Sequence, residues 1–484
     1  MARDDDHGTK SRTHKKTKHE LYASLFILVR FLCQQTPAMK KRTFIQLTSA
    51  LMTAPVIAPL ASWMPDERLK NWAGNLTYST DKVYYPTSVA EVQQLVKKYE
   101  RLKVLGTRHC FNDIADSKYN LVSTNKLNKI ISLNEAQRTV TVEPGIKYGE
   151  LAPYLESKGF ALHNLASLPH ISVMGACTTA THGSGVKNGN LATAVAAIEF
   201  VTADGTIHTL SKERDEEKFN AAVVGLGGIG VITKVTSDLQ PTFTMKQYVY
   251  EHLPMTQLKE HFEHIVSAGY SVSLFTDWQS DNINEVWIKS KDDDGFNAGP
   301  EFFGAKAATK NMHPIADLSA ENCTDQMGVS GPWYERLPHF KMGFTPSSGA
   351  ELQAEYFVPK QHAVDAIFAV HKLGKAIGPH LFISEIRTID ADNFWMSPCY
   401  KQPSVAIHFT WKQEIPEVMK LLPVIEKELA PYKVKPHWGK LFALSHTQLN
   451  GLYEKMPAFV QMLKEYDPKG KFRNDFLNRN IYGV

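Results

Sequence analysis

Three short segments carry an unusual mixture of hydrogen-bonding side chains. In Leu381-Phe382-Ile383-Ser384-Glu385-Ile386-Arg387-Thr388 the period of two of an extended chain sets Glu385 and Arg387 on one face, with Phe382 and Ile386 on the other. In Val405-Ala406-Ile407-His408-Phe409-Thr410-Trp411 the same rule groups His408 with Thr410, opposite Val405, Ile407, Phe409 and Trp411. In Glu351-Leu352-Gln353-Ala354-Glu355-Tyr356, Gln353 lies opposite Leu352 and Tyr356. An antiparallel sheet with one solvent-washed face also has an apolar back and a polar front. A solubilising front, however, is built from Lys and Glu. Paired Glu and Arg with His, Thr and Gln instead make a surface that could bind several hydroxyl groups at once.

A second group of residues suits a pyrophosphate. Leu105-Gly106-Thr107-Arg108-His109-Cys110-Phe111-Asn112 reads as a turn after a strand, whose exposed backbone N–H groups could nest an anion. The stretch from Ser167 to Gly185 is rich in glycine and small residues that permit close approach. Gly225-Leu226-Gly227-Gly228-Ile229-Gly230 has the G-x-G-x-x-G spacing of nicotinamide-dinucleotide folds, which need a strand before the glycines and a helix after them. Here residues 217–224 read as helical and Val231-Ile232-Thr233-Lys234-Val235 as a strand, so the order is reversed and no NAD site is expected.

With these segments in view, the chain from about Asn71 to its end resembles the vanillyl-alcohol-oxidase-type flavoproteins, and within them the alditol (xylitol) oxidases. The stretches specific to that branch are Leu168-Pro169-His170-Ile171-Ser172, Ser273-Leu274-Phe275-Thr276-Asp277-Trp278, Thr345-Pro346-Ser347-Ser348-Gly349-Ala350-Glu351-Leu352-Gln353 and His437-Trp438-Gly439-Lys440. The resemblance implies FAD joined covalently through an 8α-histidyl bond at His109. It implies contacts to that cofactor from Gly106, Thr107, Arg108, Cys110, Ser167, Ser172, Gly175, Thr179, Ala180, Thr181, His182, Ile229 and His437. The family's polyol pocket carries over onto Ser167, Gln353, Glu385, Arg387, His408, Thr410 and Lys440. Arg108 stands where glycine is usual and Cys110 where serine is usual. Arginine enters a positive-φ turn less readily than glycine, so either the loop bends differently or the guanidinium serves a phosphate.

The reaction so implied is oxidation of the terminal primary alcohol of a linear polyol such as xylitol or sorbitol to the aldose, with O2 reduced to H2O2. Lys440, His408, Arg387 and Glu385 are the catalytic candidates. Lys440 and His408 would position O1 and help to deprotonate it, since a buried lysine or histidine can be tuned toward neutrality. Arg387 would bind O1 or O2, Glu385 the neighbouring hydroxyl, and Ser167, Gln353 and Thr410 the distal ones. Ala166 falls in the segment that flanks the flavin in the family, where small changes control access of oxygen. The nearest rival is an aldonolactone (gulono-, galactono- or arabinono-lactone) oxidase or dehydrogenase of the same superfamily. A rival of another class is an exported flavin- or carbohydrate-binding protein without turnover.

The elements that must position these residues follow from local signals. Ser88 to Glu100 begins at a Ser cap with Glu91 three positions on, and apolar residues then recur at helical spacing. Strands are expected at Thr139–Glu143, Val195–Val201 and Gly230–Val235. Helices are expected at Tyr148–Lys158, closed by Gly159, at Gln361–Ile377 and near Thr447–Tyr453. The fold class is α+β: a two-domain FAD-binding fold of the PCMH/VAO type with an antiparallel-sheet substrate (cap) domain. Residues 71–240 would bind FAD, 241–430 would form the cap, and 431–484 would return to the FAD domain.

Residues 1–70 form a leader. Within it Met39 reads as the true start, followed by Lys40-Lys41-Arg42-Thr43-Phe44-Ile45-Gln46, an apolar stretch from Leu47 to Leu60, and small residues at Ala61-Ser62. That is signal-peptide architecture with a weakened twin-arginine character, and implies an exported or periplasmic protein if it is used and a cytoplasmic one otherwise. In a chain of 484 residues, 43% apolar and 21% charged, much of the formal +4 charge sits in the first 42 positions. No clustered basic patch for nucleic acid follows. The five cysteines lack zinc-ligand spacing, so no metal is expected and buried free thiols are. The expected partners are a polyol and O2, with no stable membrane span after processing and a monomeric state.

Overall fold

The structure, a computed structural model, describes residues 68–343 and 350–484. The leader up to residue 67 and the Thr345–Gly349 part of one motif lie outside the described residues, whereas Lys70, assigned to the leader, already pairs with Thr77 in the folded part.

The first signals in the chain act as read. Ser88 Oγ accepts from the Glu91 N–H and starts a helix over Val89–Lys98, whose Val92 and Val96 are fully buried. A helix over Tyr148–Ser157 ends at Gly159, which takes the left-handed conformation (φ +78°). A small parallel sheet joins Val83–Tyr84, Leu121–Ser123 and Lys103–Leu105. Beside it in sequence stands a five-stranded antiparallel sheet, in the order Ile130–Asn134, Thr139–Val142, Val231–Asp238, Val195–Val201, Ile207–Ser211.

The glycines at 225–230 join the helix Glu216–Ala222 to the strand Val231–Asp238, the reverse of a dinucleotide fold. Their role is steric. Gly230 has φ +145°, and a Cβ there would meet the Val201 carbonyl oxygen at 2.3 Å.

From Thr244 the chain builds a ten-stranded antiparallel sheet. Its centre runs Thr244–Pro254, Asn282–Lys291, Ser271–Thr276, Leu381–Ile389, Ser404–Lys412, Glu351–Pro359. The helices Met255–Val266, Ala363–His371 and Ile415–Leu429 cover one face, packing Leu258, Ile367 and Leu422 against Leu352, Tyr356, Ile386, Ile407, Phe409 and Trp411. Each such large side chain taken fully out of water contributes about 1.5–3 kcal/mol, so the alternation of these strands is fixed by their apolar backs.

The helix expected over Gln361–Ile377 is broken. A 3-10 turn at Lys360–His362 leads into Ala363–His371, and a separate turn follows at Gly374–Ile377. A Cβ at Gly374 would lie 2.1 Å from the Trp278 carbonyl oxygen, so this backbone approaches its neighbour too closely for any other residue.

The segment from Trp438 to Ile481 buries Trp438, Tyr453, Phe459 and Phe476 in the same core as Val140, Ile198 and Phe219. Ser445 and Gln448 form a capping box on its helix His446–Leu452. Cys110, Cys177, Cys323 and Cys399 are free thiols, as expected. Among the described residues no helix is long and apolar enough to cross a membrane.

Candidate active site

The polar fronts of the three strands are not washed by solvent. They line a cavity of about 290 Å³, and Glu385, Arg387, His408 and Thr410 are each less than a tenth exposed. Strand register puts Glu355, His408 and Glu385 side by side in one row, with Gln353 and Thr410 in the adjacent row. Ser167, from the glycine-rich segment, and Lys440, from the C-terminal loop, complete the lining. All seven residues expected to form a polyol pocket therefore meet in one place.

At one end of the row is a residue missing from that set. Glu355, 1% exposed, accepts from Lys440 Nζ at 2.7 Å and from Arg387 at 2.7 Å, with His182 Nε2 at 3.3 Å and His408 Nδ1 at 3.7 Å. Burial alone would raise its pKa, but Lys440, His182 and Arg387 together hold the carboxyl well below the usual range. The period of two that selects Gln353 selects Glu355 as well.

Lys440 donates to His408 Nδ1 at 2.8 Å, and His408 Nε2 is 3.0 Å from Thr410 Oγ1. With Nδ1 accepting, His408 is a neutral imidazole carrying its proton on Nε2. Burial, then the Lys440 charge, depresses its pKa. Burial also pulls the Lys440 ammonium below its ordinary value, against the upward pull of Glu355.

On the other side of the row, Arg387 reaches Ser167 Oγ at 3.4 Å and lies 3.5 Å from Glu385 through its Nε. Glu385 Oε1 is 2.7 Å from His339 Nε2. Burial would raise the Glu385 pKa, but Arg387 and His339 pull it far below the carboxylate range. His339 lies in a loop without periodicity, so nothing in the sequence marks it.

The same cavity extends to the glycine-rich turns. Trp72, Gly106, Thr107, Arg108, His109, Cys110, Ala166, Gly175, Thr179, Thr181, His182, Leu226, Gly227 and His437 line it. The His109 ring stacks on Trp72 with centroids 5.4 Å apart, and neither ring nitrogen makes a hydrogen bond of good geometry. Burial, then the neighbouring His170, lowers its pKa to about 4, so the ring is neutral. A Cβ on Gly106 or Gly175 would lie 3.0 or 2.6 Å from Ser172 Oγ, so both glycines keep the backbone open where a large ligand must pass close. This glycine cradle fits a flavin cofactor.

Three residues expected to touch the cofactor do not line the cavity. Ser172 is wedged between Gly106 and Gly175, Ala180 turns its side chain into the core at a left-handed corner (φ +55°), and Ile229 is packed in that core. Arg108 does adopt the turn that glycine favours (φ +65°), and its guanidinium donates to the Lys70 carbonyl at 2.7 Å. The loop keeps its path and the charge is held by backbone.

Comparisons with known proteins agree with this geometry. Residues 80–211 match the FAD binding domain family, and residues 350–480 match the D-arabinono-1,4-lactone oxidase family. Alditol oxidase of a Streptomyces species is 42% identical over 85% of this chain and 99% of its own length. L-gulonolactone oxidase of Mus musculus is 24% identical, over 86% of this chain and 98% of its own. L-gulono-1,4-lactone dehydrogenase of Mycobacterium tuberculosis is 26% identical, over 84% and 98%. In fold, the crystal structure of cholesterol oxidase from B. sterolicum superposes with a TM-score of 0.68 at 13% identity, covering 85% of this chain and 96% of that one.

Proposed function

The chain belongs to the alditol-oxidase branch of the vanillyl-alcohol-oxidase-type FAD oxidases, and on that footing we propose that it oxidises the terminal primary alcohol of a linear polyol, such as xylitol or sorbitol, to the aldose while O2 becomes H2O2. The observation that carries this reading is the buried row Glu355–His408–Glu385, with Lys440 and Arg387 seated on it beside His109's cavity. When bound, FAD supplies the two-electron acceptor, and we assign its 8α attachment to His109.

Lys440 is suited to take the hydroxyl proton. Two of its N–H bonds are directed at Glu355 Oε2 and His408 Nδ1. The remaining tetrahedral position is a lone pair in the neutral amine and an N–H in the ammonium. Both forms keep the same two hydrogen bonds, so the O1 proton can move to Nζ without rearrangement. Glu355, ionised at 2.7 Å, stabilises the ammonium that results.

The other side chains have capacity matched to hydroxyls. Arg387 lines the cavity with its guanidinium held between Glu355 and Glu385, and is suited to bind O1 or O2. Thr410 Oγ1 accepts from His408 and keeps its own proton to donate. Gln353 Nε2 donates to Glu351 at 2.6 Å, leaving its carbonyl to accept. A short alcohol would leave these buried groups without partners, which selects for a polyol.

The match of residues 350–480 to the lactone oxidase family supports a second reading, oxidation of an aldonolactone. Peroxide formation with xylitol, sorbitol and a γ-lactone separates the two. Turnover of the lactone alone would overturn the polyol reading. Lys440→Met is expected to abolish polyol oxidation while the protein stays yellow.

The signal-like segment from Met39 further supports export with the leader removed, and the exported form is proposed to be a monomer. N-terminal sequencing of the protein from the cell envelope, with sedimentation of the product, tests both.

A further inference from the structure

Beside Glu385, starting from His339 on the wall of the same cavity, runs a chain of buried polar groups that the reaction above does not use. Lys289, 1% exposed on the strand Asn282–Lys291, directs Nζ at the Leu337 carbonyl (2.6 Å), the Pro338 carbonyl (3.0 Å) and His339 Nδ1 (3.1 Å). Burial, opposed by the Glu385 charge, lowers the Lys289 pKa to about 7; in its ammonium form the side chain has three N–H bonds, and these three acceptors use them all. His339 Nδ1 must then carry a lone pair, so its proton sits on Nε2, the atom 2.7 Å from Glu385 Oε1.

The imidazole cannot easily turn over. Its ring is edge-on to Phe275 and Trp287, with centroids 5.5 and 5.2 Å away, and its backbone N–H donates to the Ser167 carbonyl. Burial, then the Lys289 charge, lowers the His339 pKa to about 4, in keeping with a neutral ring. With Lys289 as an ammonium, Oε1 of Glu385 is therefore supplied with a proton by His339, and the carboxylate meets the cavity as an acceptor only.

We propose that Lys289 and His339 are positioning residues that hold Glu385 as an acceptor-only carboxylate, and thereby make one particular substrate hydroxyl a requirement. The inference rests on the polyol reading. A hydroxyl that donates to a fixed, ionised acceptor is worth a factor on the order of 10–100, and an analogue lacking it should lose that factor in kcat/KM.

The amides of Gln and Asn separate the two halves of the relay. His339→Gln can accept from Lys289 and still reach Glu385 with its N–H. His339→Asn can accept from Lys289 but is too short to reach Glu385. The measurement is kcat/KM for xylitol relative to each deoxy-pentitol.

We expect one deoxy-pentitol to be poorer than xylitol by on the order of 10–100-fold in the wild type and in His339→Gln, and the two substrates to converge within about threefold in His339→Asn. A merely structural role would slow both substrates and leave the ratio alone. An unchanged ratio in His339→Asn, or a ratio lost equally in His339→Gln, overturns the relay while the polyol reading stands. A wild type that oxidises neither xylitol nor sorbitol overturns the polyol reading and the relay with it.

A test that needs no destabilised variant is the 15N spectrum of histidine-labelled wild-type protein, with His339→Gln used for assignment. A neutral ring protonated on Nε2 is expected, and an Nδ1–H tautomer or a doubly protonated ring overturns the proposal.

Discussion

Replacing Glu355 by Gln keeps the shape of the side chain and removes the one negative charge that Lys440 and Arg387 share. Removing one partner of a buried ion pair costs about 3–5 kcal/mol, because the other charge, here the largely buried Lys440 ammonium, loses its partner. Referred to the Lys440 ammonium, the loss lowers its pKa further, because burial already disfavours the charged form and Glu355 is the first group opposing that.

The sign follows from which form loses. The anion favours the ammonium, so without it the neutral amine persists to lower pH, and the acid limb of kcat moves down. With proton transfer about half complete in the transition state, the same loss appears as about 1.5–2.5 kcal/mol in the barrier, roughly a 10- to 70-fold lower plateau.

Steady-state kcat for xylitol from pH 5 to 9, with FAD content checked, reads both effects. A plateau that falls while the acid limb stays in place or moves upward would refute the assignment of Lys440 as the group that accepts the proton.

Other outcomes follow from single sites. His109→Ala should release all of its flavin on acid denaturation, whereas the wild-type chain should remain yellow; flavin released from the wild type would remove the tether. Gly230→Ala sets a Cβ 2.3 Å from the Val201 carbonyl oxygen at a strained φ, and should cost about 2–5 kcal/mol, seen as a Tm lower by several degrees. Burial raises the Glu285 carboxyl to about 7, opposed by the Trp287 N–H at 2.7 Å. Because the folded pKa is raised, this group favours the native state below about pH 4.5 and loses that contribution as pH rises to 7, on the order of 3 kcal/mol at most. Glu285→Gln should accordingly raise Tm at pH 8 relative to the wild type and change it little at pH 5, as differential scanning fluorimetry would show.

The pocket was legible where strand periodicity governs side-chain direction. Glu385 with Arg387, and His408 with Thr410, point into the cavity because their neighbours Ile386, Ile407 and Phe409 are locked under helices. The family motifs add Lys440 and His109, which sit on loops and obey no period. Sequence periodicity does not give which residues face one another across strands. Glu355 was therefore visible as a polar residue on the right face, but not as the carboxylate that holds two cations.

His339 and Lys289 were hidden for different reasons. His339 lies on an irregular loop, and a lysine in the strand Asn282–Lys291 reads as solvent-facing until the loop 337–339 is folded over it. Near the flavin turns, glycine-rich composition marked the right segments but not which atoms stand at the wall. Ser172, Ala180 and Ile229 pack behind it for that reason.

The most direct test of polyol oxidation is an anaerobic titration of the purified yellow protein with xylitol, sorbitol and a γ-lactone, followed by admission of air. Xylitol and sorbitol are expected to bleach the visible absorbance at one equivalent per flavin, and air to restore it with one H2O2 and one aldose per polyol consumed. Bleaching by the lactone with none by either polyol would contradict the account.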